Sequence, residues 1–108
     1  MKVRQALEIL RERGMCKHQL EDSGGRVCAY GALNIAYSGN SQHTVFVSQG
    51  DDGWTSDSIA LLQTAKALFP DRSLDYESLA VFNNHEDTTQ EDLELVFEKT
   101  AVELGEMV

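Results

Sequence analysis

Apolar residues near both ends of the chain recur at helical spacing, and this limits the fold more than any other feature. Val3, Ala6, Leu7 and Leu10 stand at i, i+3, i+4 and i+7, which places their side chains on one face of an α-helix. Gly14 follows where such a helix stops, so the pattern predicts a helix over residues 2–13. Toward the other end, Leu93, Val96, Phe97, Ala101 and Leu104 form the clearest stripe in the chain. Thr88 with Glu91 three residues later reads as a capping box at its start, and Gly105 as its terminator. Each helix has an apolar face to cover, and a shared core is the economical way to cover both.

Between them the pattern changes. The segment Ala29-Tyr30-Gly31-Ala32-Leu33-Asn34-Ile35-Ala36-Tyr37, closed by Ser38-Gly39-Asn40, reads as a buried helix. Gly31 lowers its helix propensity by about 1 kcal/mol relative to alanine, so its presence there implies close approach of another backbone. Leu61, Leu62, Ala65, Leu68 and Phe69 make a third stripe, capped by Ser56 or Ser58 and ended by Pro70. A shorter helix is predicted from about Leu74 to Phe82, with Ser73 as its cap and Tyr76, Leu79 and Ala80 on one side. The polar run Asn83-Asn84-His85-Glu86-Asp87 then breaks the pattern. After the first helix, Met15–Leu20 and Arg26–Cys28 flank Glu21-Asp22-Ser23-Gly24-Gly25, and this reads as a small β-hairpin. Residues 40–56 are polar and Gly-containing apart from Thr44-Val45-Phe46-Val47 and Trp54, which suggests a loop insertion holding one short strand. The expected architecture is mainly α: a compact bundle of four or five helices with a small β-hairpin after helix one, in a single domain over residues 1–108.

At 108 residues, with 42% apolar and 25% charged, the chain can build one core and not two of normal size. No apolar run approaches the roughly 20 residues that span a bilayer. Met1-Lys2-Val3-Arg4 leads directly into an amphipathic pattern instead of an apolar leader. A cytoplasmic location without membrane attachment is therefore expected, with Cys16 and Cys28 as free thiols. The net charge of −9 falls mostly on one side of the sequence: beyond residue 30, Lys66, Arg72 and Lys99 stand against fourteen carboxylates. That argues against direct nucleic-acid binding, which needs a basic face. The acidic surface is either plain solvation or a face that docks on a basic protein partner, including the special case of a DNA mimic.

Cys28 falls at the predicted start of a helix, where backbone N–H groups lower a thiol's pKa. It is either a nucleophile or a compact core residue. A nucleophile needs a base oriented by a third group, and the candidates are His85, with Asn83 to orient it, or else His18 or His43. A metal site could draw on Cys16, His18 and Cys28, but they form only one closely spaced ligand pair, where structural zinc sites usually have two. No cofactor is called for, and Ser23-Gly24-Gly25 lacks the lysine and spacing of a phosphate-binding loop. Trp54 is either an anchor for its loop or, with Phe46, a contact for a partner. The stripe from Leu93 to Leu104 covers either the core or a second copy of the chain, so a homo-oligomer stays open.

Three motifs carry a resemblance: Gly14-Met15-Cys16, then Gly25-Arg26-Val27-Cys28-Ala29-Tyr30-Gly31-Ala32-Leu33, then Phe82-Asn83-Asn84 ahead of Thr88 and an acidic helix. Together they resemble an uncharacterised family of small proteins from actinobacteria and their phages. Its members read Gly-Trp-Cys, Gly-Arg-Val-Cys-x-x-Gly-Ala-Leu and Trp-Asn-Asp. The likeness covers nearly everything outside residues 40–56. Met15 replaces the family's tryptophan, and Asn84 stands where an acid is usual, which weakens any mechanism needing a carboxylate there. The resemblance implies an origin and no reaction. The leading expectation is a small acidic non-enzymatic interaction protein, such as a phage-encoded modulator of a host protein. The alternatives are a cysteine-dependent hydrolase using Cys28 and His85, and a DNA-mimic inhibitor of a basic host protein.

Overall fold

The first stripe does form a helix: α1 spans Val3–Arg13 and buries Val3, Ala6, Leu7 and Leu10. The fold is that of a computed structural model, and the structure describes residues 1–42, 53–72 and 78–106. Within them α2 spans Ala29–Ser38, α3 Gly53–Leu68, α4 Leu79–Asn84 and α5 Gln90–Glu103, with one 3-10 turn at Pro70–Arg72. Helix α1 packs on α2 and α5, while α3 packs on α5 and α4. Leu33, Leu61, Leu79, Phe82, Leu93, Val96 and Phe97 fill the space between the helices, each no more than 1% exposed. Each such side chain stabilises the fold by about 1.5–3 kcal/mol relative to exposure.

Helix α1 has no acidic residue in its first turn and no side-chain cap of its own. Its open N–H groups are met from far along the chain. Val3 and Arg4 N–H donate to the Glu106 carboxylate, both at 3.3 Å, and Lys2 N–H donates to Asp57 Oδ2 at 2.9 Å. Two carboxylates thus sit where the helix dipole favours negative charge.

Helix α5 carries its own capping box, formed by Thr89 and Asp92 and not by Thr88 and Glu91. Thr89 Oγ1 accepts from Asp92 N–H at 3.2 Å, and Asp92 Oδ2 accepts from Thr89 N–H at 3.2 Å. The one-residue shift has a cause in Arg72. Its guanidinium lies 4.8 Å over the Phe69 ring and donates to Thr88 Oγ1 at 2.8 Å and Asp92 at 3.1 Å, so Thr88 is buried and already engaged. Replacing Thr89 by alanine is expected to lower stability by about 1 kcal/mol. Urea denaturation would measure it, and an unchanged midpoint would show that the box contributes nothing.

The β-hairpin expected after helix one does not form. Among the described residues there is no strand, only two one-residue bridges, Met15 with Val27 in parallel and Glu21 with Val27 in antiparallel. The chain bends twice between Gly14 and Cys28. One bend passes through His18, whose φ is 68°, and the other through Gly25, whose φ is 86°. The second is the turn the sequence indicates, and Asp22 ties it by accepting from Gly24 N–H, Arg26 N–H and Arg26 Nε. The first bend folds the other arm back on itself, so Val27 has a different partner on each side and neither ladder extends.

Two other boundaries move. Helix α3 begins at Gly53, which puts Trp54 in its first turn. Ser78, not Ser73, caps α4 by accepting from Ala80 N–H at 3.1 Å; Leu74, Tyr76 and Phe46 lie outside the described residues. Asn83 and Asn84 form the last turn of α4 rather than a break after it.

Candidate functional site

The polar residues at the end of α4 meet the looped segment before α2. Asn83 is 1% exposed. Its Oδ1 accepts from Ala29 N–H at 2.9 Å, and its Nδ2 donates to the Cys16 carbonyl at 3.1 Å and to Asn84 Oδ1 at 3.2 Å. Asn84 Oδ1 in turn accepts from His18 N–H at 2.8 Å. Those bonds hold His18 in its left-handed conformation, which costs a non-glycine residue of order 1 kcal/mol. Both amides are thus occupied with backbone: one closes the first turn of α2, the other fixes a bend.

Cys28 is the N-cap of α2, and its Sγ accepts from Gly31 N–H at 3.4 Å. Sulfur stands where serine, threonine or aspartate is usual. Cys16 Sγ donates to the Gln19 carbonyl at 3.3 Å. Both thiols are free and buried. Burial raises the pKa of Cys28, outweighing the N–H groups of Gly31 and Tyr30 that lower it. Burial also pushes the Cys16 thiol up to about 11. Since the folded chain resists ionising Cys16, stability is complete below the ordinary thiol value of 9.0 and falls as pH rises toward 11. A thermal melt series over that interval should show the fall for the native chain and a smaller one for Cys16→Ser.

Beside Cys28 opens a cavity of about 210 Å³, lined by His18, Leu20, Cys28, Tyr30, Asn83 and Asn84, among others. The structure therefore brings Cys28, Asn83 and His18 to one place. His85 is not among the lining residues. Its Nδ1 accepts from Asp87 N–H at 3.0 Å, and its carbonyl accepts from Lys17 Nζ at 2.5 Å. No group of three or more His, Cys, Asp or Glu that could hold a metal occurs among the described residues.

Gly31 sets how closely α2 approaches the loop before it. A Cβ there would lie 2.0 Å from the Leu20 carbonyl oxygen, and that oxygen accepts from Cys28 N–H at 3.2 Å. Glycine lets α2 and the loop touch backbone to backbone.

The model of a family of unknown function, DUF6197, matches residues 2–103. The chain belongs to that family. No curated protein and no solved structure gives a match. All the residues of the site fall inside the DUF6197 match, as do both thiols and the asparagine pair. No helix among the described residues of this DUF6197 member is long and apolar enough to cross a membrane.

Sequence reasoning missed a second polar centre. Asn34 is fully buried in the middle of α2, its Nδ2 donating to the Ser41 carbonyl at 2.7 Å and its Oδ1 accepting from Trp54 Nε1 at 2.8 Å. Trp54 stacks on Tyr30 with ring centroids 5.4 Å apart. One signal was present: a lone asparagine inside an otherwise apolar helix demands partners. Trp54 is half-buried and anchored through its indole nitrogen.

Proposed function

We propose that the chain is a small acidic interaction protein without catalytic activity, acting in a bacterial or phage-infected cytoplasm on a basic host protein. A phage-encoded modulator from the actinobacterial world fits this description. The observation that carries the reading is that all five arginines lie against carboxylates. Arg11 pairs with Glu94 and Glu98, Arg13 with Glu21, Arg26 with Asp22, Arg72 with Asp92 and Arg4 with Glu8. Lys17 donates to a carbonyl. Among the described residues, Glu12, Glu86, Glu91 and Glu103 are exposed and in no ion pair. Such surface pairs add little stability, but they leave solvent facing an excess of carboxylate, which steers and selects a partner of opposite charge.

The buried thiols support the non-enzymatic part. A cysteine nucleophile works as the thiolate, reached through a lowered pKa or an adjacent base, whereas burial raises that of Cys28 and the Asn83 amide is spent on backbone.

Two experiments test this. Capture on the immobilised chain from actinobacterial lysate should retain a basic protein that elutes at roughly 1 M salt, where the screening length is about 3 Å. The triple variant E86K/E91K/E103K should not retain it; equal retention by the variant, or binding indifferent to salt, would overturn the charge argument. Iodoacetamide should alkylate Cys28 in the native chain more slowly than free cysteine at neutral pH. Faster alkylation would mark an activated nucleophile and favour the hydrolase reading.

A further inference from the structure

We propose that Cys28 and Cys16 form a redox modification site, at which a low-molecular-weight disulfide admitted by the cavity oxidises the two thiols to an intramolecular disulfide. The register of the backbone carries the inference. Val27 N–H donates to the Gly14 carbonyl and Cys16 N–H to the Val27 carbonyl, both at 3.0 Å, which fixes the parallel pairing of Met15 with Val27. Cys16 and Cys28 are the residues that directly follow this single bridge on the two segments. Cys28 is still extended, with φ −86° and ψ 178°, so the extended backbone of Val27 continues through it before α2 begins. The 3.0 Å bond from Cys16 N–H to the carbonyl of Val27, the residue before Cys28, keeps the two backbones adjacent at this point, and a disulfide spans roughly 4.4–6.8 Å between Cα atoms. Asn83 clamps the same two segments by bonding the Cys16 carbonyl and the Ala29 N–H. After burial, the nearness of Cys28 is the next cause that keeps the Cys16 thiol protonated.

Access differs between the two sulfurs. Both residues are 8% exposed, but Cys28 lines the cavity and Cys16 does not. Cys28 is thus the entry thiol and Cys16 the resolving one. Cys28 loses its proton to solvent and attacks one sulfur of R–S–S–R; that bond breaks, and RS⁻ leaves and is protonated. Cys16, deprotonated in turn, attacks the Cys28 sulfur of the mixed disulfide and expels the second RS⁻. Two electrons pass from the protein to the small disulfide, and two RSH are released. The new bond replaces two sulfur hydrogen bonds, from Cys16 to the Gln19 carbonyl and from Gly31 N–H to Cys28. Oxidation therefore uncaps α2 and alters the wall of the cavity. High thiol pKa values make the reaction slow at neutral pH and faster in mild alkali.

The full chain, native and in mild alkali, would be incubated with bis(2-hydroxyethyl) disulfide, quenched with acid and read by intact mass and peptide mapping. The expected product is a monomer lighter by two hydrogens, carrying a single cross-link between the Cys16 and Cys28 peptides that dithiothreitol reverses. Cys16→Ser should stop at the mixed disulfide on Cys28. A persistent adduct on the native chain, disulfide-linked dimers, no reaction, or a cross-link formed only in denaturant would each overturn the proposal. The mapping on the native chain decides the matter even if the variant fails to fold.

Discussion

Gly31→Ala should leave the chain at least about 3 kcal/mol less stable, although alanine is the better helix former. Propensity alone predicts a gain of about 1 kcal/mol, so the sign of the result separates the two effects. The added Cβ would lie 2.0 Å from the Leu20 oxygen, 3.0 Å from the Leu20 carbon and 3.3 Å from Val27 Cβ. No flexible side-chain tip can swing away, because the obstacle is main chain. The Leu20 carbonyl cannot retreat without giving up the Cys28 N–H, and a helix start that moves would pull Ala29 off Asn83. Overpacking of side chains alone costs about 1–3 kcal/mol, and here a buried hydrogen bond would be lost with it. Circular dichroism during urea denaturation measures the change. A variant as stable as the native chain would mean that α2 and the Leu20 carbonyl do not meet.

The second large effect is expected at Asn83. Replacing it by leucine keeps the branched outline of the side chain and removes its polar atoms, stranding the buried Ala29 N–H and Cys16 carbonyl that it serves. Each stranded group costs about 1–3 kcal/mol, for a total of about 2–6 kcal/mol by the same reasoning. Asn84→Ala is the natural comparison. Asn84 is half-buried and bonds the His18 N–H, a site where water can replace it, so its loss should cost about 0.5–1.5 kcal/mol. Denaturation midpoints would rank the two variants; a milder effect at Asn83 than at Asn84 would contradict the clamp described here.

What could be read from the sequence was local, and what could not was tertiary. The stripe Val3, Ala6, Leu7 and Leu10 announces α1 because helical spacing and burial are the same fact seen twice. Gly31 announces a close contact because glycine in a helix needs a reason, although nothing in the sequence says that the neighbour is Leu20. The caps of α1 are illegible: Asp57 and Glu106 reach it from more than fifty residues away, and only packing brings them there. The hairpin fails to form for a related reason. The Asp22–Arg26 turn follows local chemistry, but the bend at His18 depends on Asn84, a residue on another helix. Cys28 is legible at a helix start, whereas Cys16, expected on a hairpin arm, lies on a looped segment instead; the burial of both, and the cavity shared by Cys28, His18 and Asn83, follow from how α4 docks against the loop.

Asn34 has a consequence for how this scaffold tolerates change. Its one amide grips both the Ser41 carbonyl and the Trp54 indole, so Ser41 and the first turn of α3 are held to the same point of α2. The entropy of closing a loop grows slowly with length, by only about 0.6 kcal/mol for each doubling. Extra chain length between Ser41 and Trp54 should therefore cost the helices little for as long as Asn34 keeps its two bonds.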